Sequence, residues 1–291
     1  MKKTPDFKVA DGDSSDAVGS ADAALPERER RQRVQSATTA VVLLKGLAAL
    51  GGRASLTALA AYVDESPAKV HRYLVSLMEE ALIAQEPSTQ LYVLGTECLA
   101  IGLAAMRLVD PVREAEASLV RLRESLEVTC FVAVMGNRGP TIVRFEEPGL
   151  PVTVNVRVGS VMSVLWSATG RVFLGLLDES RVRAIAADEL AQASTDQRAT
   201  LDAADPLGQL RLEVQAARCA VVKDTNLTGI SAVAAPLFDF NGRLCGALTA
   251  LGATGGFDSS IDGRIAAAVR LEAQAVSARL GYGAGASGAG R

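Results

Sequence analysis

The chain has 291 residues, a formal net charge of -3 and a sequence pI near 5.4. Its length suits about two domains. Apolar residues make up 49% of it but aromatic residues only 4%, so Ala, Val and Leu supply most of the apolar mass. The charge balance excludes the histone-like binding of nucleic acid that depends on total charge. A locally basic face could still bind DNA.

The chain has one histidine, His71, and four cysteines without a Cys-x-x-Cys pair. These counts exclude most multi-histidine metal sites and zinc ribbons, so we expect neither a metal nor a cofactor. We expect the thiols to be reduced and buried: Cys98, Cys130, Cys219 and Cys245. No uncharged apolar run approaches the ~18 residues of a membrane span, and the first residues lack the apolar core of a signal peptide. A cytoplasmic protein without a membrane partner is therefore expected.

Low-complexity segments predict a disordered tail over residues 1–33 and a flexible tail over 282–291. Between them, three short helices come first. The first helix spans Ser36–Leu50 and ends at two glycines. The second spans Ser55–Tyr62, with Ser55 as its N-cap. The third opens at Ser66-Pro67, which combines a capping side chain with a proline at the first helical position.

Two strands follow the third helix, over Leu82–Glu86 and Leu91–Leu94. The four residues between them, Pro-Ser-Thr-Gln, are typical of a turn, so the strands form a hairpin. A helix-turn-helix followed by a hairpin is a winged helix, which we place at residues 34–96.

In the third helix, Val70, Leu74 and Leu77 recur at helical spacing and would face the core. The positions between them would then face outward, where Lys69 and Arg72 could donate to phosphate or guanine. Local charge agrees, since residues 27–78 hold eight basic and four acidic residues. A plain helix cluster with a solvated charged face explains the periodicity equally well, but the hairpin favours a winged helix. The candidate DNA contacts are Arg53, Ser55, Ser66, Ala68, Lys69, His71, Arg72, Ser76 and, at the hairpin tip, Ser88, Thr89 and Gln90.

Apolar residues at helical spacing over 97–109, and a second helix opened by Asp110-Pro111, predict a helical linker at 97–116. Strands and helices then mix over 117–281, which indicates an α+β domain. Asn241-Gly242 joins the last two strands as a hairpin turn. The predicted strands are Thr129–Met135, Thr141–Phe145, Val152–Val156, Ala220–Val222, Ile230–Asp239 and Leu244–Leu251. The predicted helices are Gly170–Leu177, Ser180–Ala186, Pro206–Arg218 and Ile261–Leu280.

The stretch Val164-Leu-Trp-Ser-Ala-Thr-Gly-Arg171 is the most informative part of this second domain. Ser167 can cap a helix whose first residues are small, which leaves backbone N–H groups open to an anion or a carboxylate. Trp166 lies beside this helix start. A plain capped helix with a core tryptophan explains the stretch equally well.

Four segments resemble the IclR-type transcriptional regulators, in the right order along residues 36–281. Ser66-Pro-Ala-Lys-Val-His-Arg-Tyr-Leu-Val-Ser-Leu77 resembles their recognition helix, and Leu91-Tyr-Val-Leu-Gly95 their wing strand. Trp166-Ser-Ala-Thr-Gly-Arg171 and Gly229-Ile-Ser-Ala-Val-Ala-Ala-Pro236 are similar to two segments of their effector domain. The resemblance implies a winged helix-turn-helix, a linker helix and a GAF-like effector-binding domain. It also implies homodimers or homotetramers on palindromic double-stranded operator DNA.

By position, the resemblance implies an effector site at Val154, Met162, Ala168, Thr169, Ile230, Ala232 and Thr249, to which Trp166 and Asp224 are added as neighbours. Pro67-Ala68-Lys69 stand where the family often has Lys-Ser-Thr, so its operator sequence does not carry over. Ala232 replaces a frequent cysteine, and Asp224 is the remnant of an acidic stretch. The site is therefore less polar than in members that bind small keto acids. We expect a larger or more apolar effector, such as an aromatic or acyl carboxylate.

The sequence is compatible with three functions. The first is a ligand-responsive regulator of a catabolic operon, acting as a repressor or an activator. The second is a small-molecule sensor or enzyme of GAF-like fold. Against an enzyme, the chain offers no acid–base pair, metal cluster or activated nucleophile. The third is an interaction module whose winged helix serves protein contacts. We expect the first function and no catalytic residue.

Overall fold

The computed structural model describes residues 34–149 and 156–283. The first tail, most of the second tail and most of the predicted strand Val152–Val156, with the candidate Val154, lie outside these residues. The described helices are α1 (Gln35–Ala49), α2 (Leu56–Tyr62), α3 (Pro67–Glu79), α4 (Thr96–Met106), α5 (Pro111–Leu126), α6 (Ala168–Leu176), α7 (Ser180–Ala191), α8 (Thr195–Ala199), α9 (Pro206–Ala217) and α10 (Arg264–Arg279). The described strands are β1 (Arg53–Ala54), β2 (Ile83–Gln85), β3 (Tyr92–Leu94), β4 (Thr129–Gly136), β5 (Gly139–Glu146), β6 (Ala220–Lys223), β7 (Ile230–Phe238) and β8 (Leu244–Ala253).

The first unit is the predicted winged helix. Helices α1 to α3 pack on an antiparallel sheet of order β1-β3-β2. Leu43, Leu74 and Ile83 are among the fully buried side chains of its core. Both predicted caps form, because the Ser55 hydroxyl accepts from the N–H of Ala58 at 3.1 Å and the Ser66 hydroxyl from that of Lys69 at 3.4 Å. The short strand β1 was not predicted.

The linker region holds the two helices that the sequence predicts, one over 97–109 and one opened by Asp110-Pro111. Helix α4 ends at Met106, and α5 begins at Pro111 with Asp110 as its cap, whose carboxylate accepts from Val112 N–H at 2.9 Å. None of the residues of α4 is buried. The apolar spacing that predicts this helix therefore marks an exposed face rather than a core contact.

The second unit is an antiparallel five-stranded sheet of order β5-β4-β8-β7-β6. Alternate residues of its strands face opposite sides. Val132 and Val233 join the core under α5 and α10, whereas Phe131 and Ala232 face α6. The sheet with helices on both faces confirms the α+β class. The α6 face carries the cavity described below.

Several predictions in this unit need correction. Only Cys130 and Cys219 are buried, whereas Cys98 and Cys245 are half-buried, because they lie in α4 and near the start of β8 rather than in the core. Helix α8 was not predicted; it is five residues long and is held by a capping box in which Ser194 and Gln197 bond each other's backbone N–H groups. Helix α10 begins three residues after the predicted start.

Candidate DNA-binding surface and effector cavity

The exposed face of α3 carries the predicted contacts Ala68, His71, Arg72 and Ser76. The two cations of this helix differ. The ammonium of Lys69 pairs with the Glu65 carboxylate, and this hydrogen bond raises the pKa of Lys69. Within residues 34–149 and 156–283, Arg72 forms no ion pair. Arg72 is therefore the cation of α3 that is free to bind a phosphate or a base.

His71 connects the helix to the wing. Its Nδ1 lies 3.3 Å from the hydroxyl of Tyr92, whose ring is buried in β3. The imidazole itself stays exposed. Through this contact His71 joins α3 to the hairpin while it stays at the surface.

Side-chain hydrogen bonds hold the hairpin tip in place. The Arg53 guanidinium pairs with the Glu86 carboxylate at 3.2 Å, so this predicted contact is not a free cation. The Thr89 hydroxyl donates to the same carboxylate, and the Gln90 amide donates to the carbonyl of Pro87 at 3.0 Å. Gln90 adopts a left-handed backbone with φ of 59°. Ser88, also exposed, stands at the tip between these residues.

The predicted effector residues meet at one cavity on the α6 face of the larger sheet. Six of them line it: Met162, Ala168, Thr169, Ile230, Ala232 and Thr249. The cavity has a volume of about 30 Å³, room for one or two water molecules. Among the residues that the structure describes, none of those lining it carries a charge.

The polar end of the cavity is the start of α6. The Ser167 hydroxyl accepts from the N–H of Gly170 at 2.9 Å, so the N–H groups of Ala168 and Thr169 are the helix donors without an intrahelical partner. The Thr169 hydroxyl lies 2.9 Å from that of Thr249 on β8, and both residues are buried. Two N–H groups and two hydroxyls can therefore meet a carboxylate here.

Two predicted neighbours lie outside the cavity lining. Trp166 packs with Leu174, Val182 and Leu210 in a separate cluster, because the turn before α6 directs its ring toward α7 and α9. Asp224 closes the loop before β7, where its carboxylate accepts from Gly229 N–H at 2.7 Å and from the Thr254 hydroxyl at 2.8 Å. The carboxylate therefore holds this loop in place against Thr254.

Seven further residues line the cavity without having been predicted as effector residues: Phe131, Val156, Ser167, Val222, Asn226, Leu227 and Leu251. Strand alternation offers a signal for Phe131, which pairs with Thr249 across β4 and β8. Asn226 and Leu227 come from the loop closed by Asp224, and no local pattern places that loop over the cavity.

Glu189 of α7 holds the turn that leads into α6. Its carboxylate accepts from the Ser163 hydroxyl at 2.6 Å and from the N–H groups of Val164 and Leu165 at 3.0 and 2.8 Å. We expect Glu189→Ala to lower the free energy of unfolding by about 2–3 kcal/mol, because three bonds to a partly buried carboxylate are lost. Urea unfolding measures this. Asp188→Ala, at the exposed neighbouring carboxylate, is the matched control, and an equal loss in both variants would contradict the role of Glu189.

No helix of residues 34–149 and 156–283 is both long and apolar enough to cross a membrane. The same part of the chain holds no group of three or more His, Cys, Asp or Glu side chains that could bind a metal ion.

The fold agrees with comparisons to known proteins. The family model described as the bacterial transcriptional regulator IclR C-terminal matches residues 104–278, and the IclR helix-turn-helix domain matches residues 36–87. The chain belongs to the IclR family of transcriptional regulators. Like other IclR proteins, it is a DNA-binding, ligand-responsive regulator.

The solved structure of HmgR from Pseudomonas aeruginosa is 37% identical, with a TM-score of 0.78, and the match covers 86% of this chain and 99% of that one. The probable transcriptional regulator SauR of Cupriavidus necator is 24% identical over 73% of this chain and 84% of its own. The DNA-binding transcriptional repressor YiaJ of Escherichia coli is 21% identical over 88% and 91%. SauR and YiaJ are both described as transcriptional regulators.

Proposed function

We propose that this IclR protein controls a catabolic operon, as a repressor or an activator, in response to a small organic acid with an aromatic or acyl body. The cavity of the effector domain carries this proposal. Its polar groups gather at the start of α6, whereas Phe131, Met162 and Leu251 make the opposite walls apolar. A single carboxylate joined to an apolar group matches this division.

The size of the cavity supports a response to ligand. A volume of about 30 Å³ holds water but not an organic acid. Such a ligand binds only when the walls move apart, so it favours one conformation of the domain over another. A ligand with different affinities for two conformations is what shifts a regulator between them.

Thermal unfolding with a panel of acids tests the effector class. We expect benzoate, phenylacetate or hexanoate, at about 100 times its Kd, to stabilise the protein by about 2.7 kcal/mol. Thr169→Val should lose most of this stabilisation, because it removes one hydroxyl from the polar end of the cavity. Thr200→Val, at an exposed threonine of the same domain, should respond as the wild type does. Stabilisation by glyoxylate or pyruvate alone would contradict the proposed class.

We further propose that α3 enters the major groove while the hairpin tip contacts the sugar-phosphate backbone. The exposed side chains of α4 favour a homodimer, which can pair into a homotetramer. Leu99, Ile101 and Leu103 are 64%, 59% and 44% exposed. A second copy would cover them and set two recognition helices on a palindromic operator. The boundaries 34–96, 97–116 and 117–281 stay our proposed domain division, in which the last boundary falls inside α5.

A further inference from the structure

A second cavity lies at the edge of the larger sheet, away from the effector residues. Strand β6 pairs with β7 from Ser231 to Ala234. Within the described residues, the remainder of β7 after Ala234 therefore has no neighbouring strand on the β6 side. Pro236 lies in this uncovered part, where its missing N–H suits a sheet edge. The C-terminal end of α9 and the middle and C-terminal end of α10 line the space, which has a volume of about 230 Å³.

The C-terminal ends of α9 and α10 form part of the cavity walls. Helix α10 stops in a Schellman motif, in which the N–H of Tyr282 donates to the carbonyl of Ser277 at 2.9 Å and Gly281 has φ of 86°. This motif stacks the Tyr282 ring on Phe238, with 4.9 Å between ring centroids. Arg218 caps α9 with φ of 49°, and its guanidinium lies 5.3 Å from the centre of the Phe238 ring.

Two arginines, Arg218 and Arg270, line the cavity together with this aromatic pair, Gln274 and Ser277. Neither arginine forms an ion pair with a carboxylate of residues 34–149 or 156–283. Arg270 donates instead to the carbonyl of Ile261 at 2.8 Å.

The cavity has a net positive charge. Each helix C-terminus contributes about half a negative charge, so the ends of α9 and α10 together offset about one arginine. The second arginine leaves the cavity positive. The lining of the effector cavity, in contrast, has no charged residue among those that the structure describes, and so none with which to neutralise a dianion.

We propose that the cavity between α9, α10 and the end of β7 binds a small phosphate monoester that carries a planar apolar group. The phosphate takes hydrogen bonds from Arg218 and Arg270, whose planar guanidinium groups match its oxygens. The apolar group lies against Phe238 and Tyr282. This ligand is distinct from the organic acid proposed for the effector cavity, and the two sites lie on separate parts of the domain.

Isothermal titration of the full chain with phenyl phosphate tests this site. We expect one molecule to bind per chain, and Arg270→Gln and Arg218→Gln each to weaken binding by about 10- to 150-fold, since each removes a charge-assisted hydrogen bond. Arg181→Gln, at an exposed arginine of α7, should leave binding unchanged. Thr169→Val should also leave it unchanged, which separates this site from the proposed effector cavity. Phenol, without the phosphate, should give no measurable heat.

Thermal unfolding of each variant shows that it is folded, and direct binding keeps the test independent of operator and effector. Equal affinity in the wild type and Arg270→Gln would overturn the proposal, as would the absence of binding to the wild type. Loss of binding in Thr169→Val would place phenyl phosphate in the effector cavity and overturn it too. If the arginine variants change the sedimentation coefficient and the wild type does not bind, the surface is a contact between copies of this chain.

Discussion

An Arg72→Ala variant is expected to bind operator DNA about 5- to 150-fold more weakly than the wild type, a loss of about 1–3 kcal/mol. Arg72 lies on the exposed face of α3, and in the described part of the chain no carboxylate pairs with it. Its guanidinium therefore needs no rearrangement before it meets a base or a phosphate. Lys69→Ala alone should cost less, because the ammonium of Lys69 must first leave Glu65.

Fluorescence anisotropy with DNA from the region upstream of the protein's own gene measures this loss. Arg181→Ala, an exposed arginine of α7, is the matched control for net charge. If Arg72 contacts a phosphate, the salt slope of log K should fall by about one. If Arg72 reads a base, the loss should be larger on the operator than on unrelated DNA. Unchanged binding in the combined Lys69→Ala and Arg72→Ala variant would remove α3 as the recognition helix.

Local capping signals predicted where three of the helices begin. Ser55, Ser66 and Asp110 each cap a helix as expected, because a cap depends on residues within one turn. The spacing of Glu65 and Lys69 also predicts their ion pair, since residues four apart are neighbours on a helix. That signal was present in the sequence, and with it Arg72 could have been identified as the freer cation.

Non-local packing explains what the sequence did not predict. Strand β1 has only two residues and exists because Arg53 and Ala54 pair with β3, about forty residues later. Trp166 was placed beside the effector because it precedes α6. Its ring packs instead with Val182 of α7, a choice of face that depends on how those helices meet.

In the effector cavity too, some residues were predicted and others depended on packing that the sequence does not show. Six of the residues named by the family resemblance line this one cavity, because a shared fold places the strands and α6 in the same positions. Asp224 was assigned by its charge, but its carboxylate bonds Gly229 at the far end of its own loop and Thr254 after β8. Residue type alone does not show whether a carboxylate contacts a ligand or accepts a hydrogen bond from a backbone N–H.

Gly170→Ala is expected to be the most destabilising single methyl addition in the effector domain. A Cβ at this position would overlap the carbonyl oxygen of Ser163 and the backbone of Val164. Backbone atoms cannot turn aside as a side chain does, so α6 would have to separate from the turn before it. We expect a loss of about 3 kcal/mol, the upper end for overpacking, and a melting temperature about 6–12 °C lower.

Two other glycine substitutions make the comparison specific. A Cβ at Gly175, on the same helix, would lie 2.6 Å from the Cβ of Val214, a milder overlap than the one at Gly170, so Gly175→Ala should cost less. A Cβ at Gly102 of α4 meets nothing within 4 Å, and Gly102→Ala should add up to about 1 kcal/mol through helix propensity. Calorimetry of the three variants should give this order. If Gly170→Ala instead stabilises the protein as Gly102→Ala does, α6 does not begin in close contact with Ser163 and Val164. The polar end of the effector cavity would then lose the support that fixes the N–H groups of Ala168 and Thr169.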